Sequence, residues 1–252
     1  MKIIKYRKGA KGLYKVELDD SRVLSLYEEV ILKFELLLKK EIDSKDIPSI
    51  EKFNQECEVY YVALNSIKSR FKSEYDIREM LRKKEYPIDM IDIAIDKLLK
   101  QGYINDRSFT KSFINNQIIT TTKGPNKIKK ELLDHRVDED IIDEEMVVFD
   151  EENQLDKISK ISNRLFKSNH TRGGMVLRKK IYNDLIMMGY DTYLINKVLD
   201  ELDFSNDKDI VKKEYEKLYK KLSRKYSDKE LEYKIKEKLY QKGLYYEDEE
   251  VY

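Results

Sequence analysis

The residues of this chain with reactive side chains do not converge. His135 and His170 are the two histidines, and they stand far apart. No Cys or His pair has the close spacing of a zinc site. Cys57 is the one cysteine, with no nucleophile signature around it. The glycine patterns of a Walker loop or a dinucleotide-binding loop are missing. Gly173-Gly174 is an isolated pair between a basic stretch and a helix. Such a pair can seat a phosphate at a helix N-terminus, but an interhelical turn is the plainer reading. Adjacent carboxylates such as Glu144-Glu145 lie in an acidic run and read as a solvated face. The expectation is a protein with no catalytic residue, metal or cofactor, one that binds rather than transforms.

What the side chains offer instead is charge in blocks. Lys157 to Lys180 holds eight Lys and Arg and no acid, whereas Asp138 to Glu152 holds nine acids and no base. That acidic run reads as a linker, a partner site or a self-masking element. Basic clusters recur at Arg82-Lys83-Lys84, Lys127-Lys129-Lys130 and Arg178-Lys179-Lys180. Each lies on a helix with its apolar face elsewhere, and stacked repeats would align them in one stripe. The bland reading is an ordinary wet face of Lys-rich helices. The sharper one is a surface for a polyanion or an acidic protein, with salt-dependent and weakly sequence-specific binding. The interleaved Tyr and Phe fall mostly at core spacing, so they read as packing residues rather than base-stacking platforms.

The elements that must position these charges are helices in tandem. Four segments share Ile, then Leu four residues on, then a pivot four further. They are Ile77/Leu81/Glu85, Ile128/Leu132/Arg136, Ile181/Leu185/Gly189 and Ile235/Leu239/Gly243, with pivots 51, 53 and 54 residues apart. Ile and Leu four apart share one helix face. The pivot is a C-cap, where Gly relieves a left-handed backbone. Glu85 and Arg136 replace Gly, which predicts strained or differently built turns. A second apolar set after the pivot (Met90/Ile91/Ile95, Ile141/Ile142/Met146, Leu194/Ile195/Leu199) defines a helix folding back, and an upstream stretch supplies a third. Ser73-x-x-Asp76 and Ser227-x-x-Glu230 resemble capping boxes. Residues 1–50 differ: Ile3–Tyr6, Tyr14–Leu18 and Val23–Leu26 are short and β-prone, Glu28–Lys40 has helical spacing with a strand through Val30–Phe34 as the alternative, and Asp43–Pro48 reads as a linker.

The predicted fold class is mainly α, tandem three-helix repeats in an elongated curved solenoid, with a small N-terminal β segment. The predicted divisions are 1–50, then repeats at 51–106, 107–152, 153–204 and 205–252, the last truncated before Glu247–Glu250. The near-balanced charge of +1 argues against a wholly basic nucleic-acid coat but permits local basic faces. One cysteine, no signal-like apolar run and no stretch of the roughly 18 apolar residues that span a membrane make the cytoplasm the expected compartment.

Several segments resemble the RecX family of RecA regulators. Arg70-Phe71-Lys72-Ser73 with Asp76-Ile77-x-x-x-Leu81 is similar to the first repeat of that family. Gly102-Tyr103-Ile104-Asn105-Asp106-Arg107-Ser108-Phe109 resembles its repeat junction, and Lys123-Gly124-Pro125-Asn126-Lys127-Ile128-Lys129-Lys130-Glu131-Leu132 the start of its second repeat. The likeness covers about Tyr60 to Phe204. The chain departs from it at the two non-Gly pivots and at Phe113, near a common Trp. The resemblance implies a non-enzymatic, cytoplasmic modulator of the RecA–DNA filament, acting on its growth, ATP hydrolysis and strand exchange. That places it in homologous recombination, DNA repair and the SOS response. The implied partners are RecA and, weakly and non-specifically, single- or double-stranded DNA, met by a monomer. The candidate RecA- and DNA-binding residues are Arg70, Lys72, Arg82, Lys83, Lys84, Arg107, Lys127, Lys129, Lys130, Arg172, Arg178, Lys179 and Lys180. Two rivals remain: an autonomous DNA-binding regulator, since three-helix units can resemble helix-turn-helix modules, and a generic helical scaffold for another protein.

Overall fold

The computed structural model describes residues 1–69, 71–169, 171–205 and 208–245. Arg70, His170 and Glu247–Glu250 lie outside the described residues. The chain divides into two compact units, residues 1–112 with 134–141, and residues 113–133 with 142–252.

The first unit begins with a three-stranded antiparallel sheet in the order β1 (Ile3–Lys8), β2 (Leu13–Leu18), β3 (Val23–Tyr27). These are the three β-prone runs of the sequence. Tyr6 pairs with Val16, and Val16 with Leu24. Alternation puts Val16 and Leu18 inward while Lys15 stays exposed. The helical run predicted at Glu28–Lys40 splits into α1 (Glu28–Lys33) and α2 (Leu36–Lys39), because Glu35 turns left-handed at φ 53°. The expected linker is shorter than the composition suggests. Ile47 opens α3 (Ile47–Ser69), with Pro48 in its first turn, where the missing N–H costs nothing. Ile50 and Cys57 of α3 complete the sheet's core, and Val59, Tyr60, Ala63 and Leu64 enter the core of the first repeat.

Four helical groups follow. The first repeat has α3, α4 (Glu74–Arg82) and α5 (Ile88–Lys100). The second has α6 (Asp106–Thr120), α7 (Pro125–Asp134) and α8 (Glu139–Met146). The third has α9 (Glu151–Lys167), α10 (Gly174–Met188) and α11 (Thr192–Leu199). The last has α12 (Lys208–Leu222) and α13 (Asp228–Gln241). The repeated Ile/Leu pair is the anchor of every central helix: all eight side chains have 0–1% of their surface exposed. Burying each contributes about 1.5–3 kcal/mol. In the returning helices Ile91, Ile95, Ile142, Ile195 and Leu199 are buried, while Ile141 and Met146 are only half-buried. The capping box at Ser73 and Asp76 forms with both reciprocal bonds. The one expected at Ser227 does not: Ser227 makes no side-chain cap bond.

All four pivots are left-handed, whatever their residue: Glu85 at φ 63°, Arg136 at 56°, Gly189 at 92° and Gly243 at 70°. The turns are therefore built alike, and the two non-Gly pivots hold the strained conformation. At the last three pivots the carbonyl one residue earlier accepts a hydrogen bond from the residue just before the central helix of the preceding repeat. Ser73 Oγ donates to the His135 carbonyl at 3.0 Å in the first unit. In the second unit Gly124 N–H donates to Met188 O (2.7 Å) and Gly173 N–H to Lys242 O (2.8 Å). A helix end with unpaired N–H groups thus meets a helix end with unpaired carbonyls. Close approach forces small residues at these joints. A Cβ on Gly124 would lie 2.6 Å from the Gly189 carbonyl, and one on Gly189 2.6 Å from Lys127 N. A Cβ on Gly174 would lie 1.5 Å from Phe204 O. Gly173-Gly174 is thus a packing device, as the interhelical-turn reading held.

A half-buried carboxylate and a buried one flank the joints with opposite titration. Asp106 accepts the Glu74 N–H at 2.9 Å, and burial, with Glu74 and Asp76 nearby, pushes its carboxyl up. For Glu214, burial acts upward, but the Lys242 and Lys217 ammonium groups outweigh it and hold the carboxyl below its ordinary value. Lys217 lies 3.4 Å away and Lys242 closer still.

Gly189→Ala should lower stability by about 1–3 kcal/mol from backbone strain alone, whereas Glu85→Gly should change it by less than about 1 kcal/mol, in the stabilising direction. Equal urea midpoints for the two variants would contradict the left-handed pivots. A raised carboxyl supports folding below its unfolded value and loses that support as pH rises; a lowered one does the reverse. Asp106→Asn should therefore raise the urea midpoint at pH 7, with the advantage fading toward pH 4. Glu214→Gln should lower it at pH 7, with the deficit fading only as pH falls below the ordinary value of 4.5.

Candidate functional site

One cluster of described residues has side chains of a reactive type. Ser73, Asp76 and His135 meet at the first joint, with Asp76 Oδ1 3.0 Å from His135 Nδ1. These are the residue types of an acyl-transfer triad, but the wiring differs. Ser73 is fully buried, its hydroxyl donates to the main-chain carbonyl of His135, and it accepts from Asp76 N–H. The imidazole is held edge-on against Phe109, ring centroids 5.4 Å apart. This is a structural joint, because the serine has neither access nor a base on its proton. Burial pushes the Cys57 thiol up to about 11, away from nucleophilic reactivity. Among the described residues no group of three or more His, Cys, Asp or Glu is placed to hold a metal ion, and no helix is long and apolar enough to cross a membrane.

The candidate surface is basic, and the structure sorts its cations by what they touch. Arg82 pairs with Glu79 at 2.7 Å, Lys129 with Asp143 at 2.8 Å, Arg178 with Asp200 at 2.6 Å and Lys180 with Asp184 at 2.5 Å. Lys72 is half-buried, its ammonium 3.8 Å from Met80 Sδ. Arg107 is exposed in the first turn of α6. Lys83, Lys84, Lys127, Lys130, Lys179 and Arg172 are exposed, with no ion pair among the described residues. An exposed pair of this kind contributes at most about 1 kcal/mol, so the six open cations are the ones a ligand meets at least cost.

The clusters do not occupy one register. Arg82-Lys83-Lys84 lies at the C-terminal end of α4, Lys127-Lys129-Lys130 in the first half of α7, and Arg178-Lys179-Lys180 one turn into α10. Counting Lys and Arg in a helix does not give their angle around it. Arg178 leans onto α11, Lys179 points to solvent and Lys180 pairs along its own helix, as successive residues about 100° apart must.

Residues outside the thirteen candidates also matter. Arg164 and Lys167 on α9 are exposed and without an ion pair among the described residues. Lys160 and Arg164 border a shallow depression with Thr122 and Ile161. The helical spacing of 160, 164 and 167 within the acid-free stretch was the signal for this ridge. Lys157, in the same stretch, has another role. Its ammonium donates to the Ile118 carbonyl and, at 2.9 Å, to the Thr121 carbonyl, closing the end of α6; burial lowers its pKa. The acidic run also resolves into parts. Asp150 caps α9 by accepting the Asn153 N–H, Asp143 pairs with Lys129, and Glu151 pairs with Lys197 at 3.1 Å.

Comparison with known proteins places this architecture. Residues 60–98 match the first three-helix domain of RecX, and residues 105–146 match the second. The regulatory protein RecX of Streptococcus agalactiae is 32% identical over 253 residues, covering 98% of this chain and 96% of its own length. That of Lactococcus lactis is 31% identical, covering 96% and 93%. A crystal structure of regulatory protein RecX superposes with a TM-score of 0.66 at 26% identity, over 80% of this chain and all of that one. The RecX structure from Lactobacillus salivarius, 24% identical over 59% of this chain and 97% of its own, shares the fold at a TM-score of 0.55. Three-helix units, repeated pivots and a near full-length likeness to regulatory proteins agree: the chain belongs to the RecX family.

Proposed function

We propose that this protein is a cytoplasmic, non-enzymatic regulator that binds the RecA nucleoprotein filament as a monomer. It restrains filament growth, ATP hydrolysis and strand exchange. The functional units are the helical repeats at 51–106, 107–152, 153–204 and 205–252, behind the β-rich segment 1–50. The observation that carries this reading is the set of exposed, unpaired cations on and beside the central helices of a RecX-family chain. They meet DNA phosphate or acidic RecA surface. Of the thirteen candidate residues, Lys83, Lys84, Lys127, Lys130, Arg172 and Lys179 contact the filament directly. Arg82, Lys129, Arg178 and Lys180 already serve carboxylates of their own repeat and add less. Lys72 and Arg107 lie beside the first joint, and Arg70 completes the candidate set. DNA contact is weak and independent of sequence, because side chains that reach phosphates carry no base information.

Titrating the protein into single-stranded-DNA-dependent ATP hydrolysis by RecA, at near-physiological salt, should slow hydrolysis below stoichiometric ratios. Lys127→Glu with Lys130→Glu should weaken filament binding by about tenfold without shifting the urea midpoint. If phosphate is the contact, the salt slope of binding should fall by about 0.7 per lost contact; an unchanged slope assigns the surface to RecA. Full binding by the double variant would remove the cations from the interface. Tight sequence-selective duplex binding without RecA would replace the reading with that of an autonomous DNA-binding protein.

A further inference from the structure

The first two repeats tie their central helix to their returning helix by the same ion pair. Arg78 of α4 meets Asp92 of α5 at 2.5 Å, and Lys129 of α7 meets Asp143 of α8 at 2.8 Å. In each repeat the cation stands seven residues before the pivot and the carboxylate seven after it. The same two positions of the third repeat hold Tyr182 and Asn196. Instead of a charge pair at these positions, the two residues line an open groove of about 550 Å³. Met175, Val176, Arg178 and Lys179 complete its walls.

The lining is mixed in a specific way. Met175 is 68% exposed and Val176 36%, so apolar surface faces water here, with no covering element among the described residues. Lys179 is exposed with no ion pair among the described residues, and Arg178 reaches Asn196 at 3.5 Å and Asp200 at 2.6 Å across the groove. A phosphate backbone satisfies the cations but leaves the methionine and valine wet. An acidic peptide with an apolar side chain satisfies both. Met, Tyr and Arg are the residues enriched where proteins bind proteins, and an unbranched thioether adapts to varied apolar partners.

We propose that the α10–α11 groove docks an acidic segment of a protein partner. A carboxylate of that segment meets Lys179, beside an Arg178 held by Asp200, and an apolar side chain rests on Met175, Val176 and Tyr182. This rests on the reading above that the chain acts through a protein partner, and it gives the third repeat to protein rather than DNA.

The test uses the full chain with methyl-labelled methionine, Met175 being assigned by its loss in Met175→Leu. The probes are a fluorescent twelve-residue peptide of Glu and Asp interrupted by Leu and Phe, the same peptide with Ser for Leu and Phe, and a single-stranded oligonucleotide of equal charge. The first peptide should shift the Met175 methyl and bind at least ten times more tightly than the second. Lys179→Glu should weaken it at least tenfold. Tyr182→Arg with Asn196→Asp, which installs the ion pair of the other repeats, should close the groove and abolish binding while leaving circular dichroism unchanged. Equal affinity for both peptides, a Met175 shift with the oligonucleotide alone, or no shift with any probe would each overturn the proposal. Filament sedimentation is scored separately: loss of filament binding with peptide binding intact defeats only the filament reading. The reverse result defeats only the groove.

Discussion

A helix end has more polar groups than it can satisfy, and this chain satisfies them by facing helix ends against each other. The first N–H groups of a helix and its last carbonyls lack partners within it. Here the residue before α4, α7 or α10 donates to the carbonyl before the next repeat's pivot. The rest of the architecture follows from this contact. The pivot must turn left-handed to end the central helix on time. The donor residue is small in each case: Ser73, Gly124 and Gly173. The Ile/Leu pair must be buried behind it so that the helix end cannot slide. Strain at Glu85 and Arg136 is retained because the surrounding packing over-determines the turn.

Much of this was legible in the sequence, because apolar periodicity reports burial directly. The Ile/Leu anchors, the pivots, the three strands and the Ser73 cap were all readable from residue type and spacing. Surface charge was not. The side chain opposite Lys129 is Asp143, and only the crossing of α7 and α8 brings them together. Nothing in a lysine's neighbours along the chain says whether it caps another helix, as Lys157 does, or faces water, as Lys179 does. The N-terminal extension of α3 was hidden for a related reason. Pro48 and the polar residues before it look like a connection, yet a proline in a first turn is a helix start. Ser227 shows the converse: a cap-like pattern whose side-chain bond is not made.

The repeats are alike where they are buried and different where they meet water. Their cores use the same two side chains at the same two positions, whereas their outer faces vary in which cations are paired and which are open. Family membership is carried by the former. What distinguishes one repeat's task from another's lies in the latter, as the contrast between the Arg78–Asp92 pair and the Tyr182/Asn196 positions shows.

Because the joint is made largely by main-chain groups, it asks little of the side chains around it. A unit that ends in a carbonyl acceptor and begins with an N–H or hydroxyl donor fits a copy of itself without redesign, provided that one small residue is kept at its start. Duplication or loss of a whole unit is then a cheaper change for such a chain than most single substitutions in its core. Repeat number becomes a variable that can be adjusted on its own, while the surface of each new copy is free to diverge.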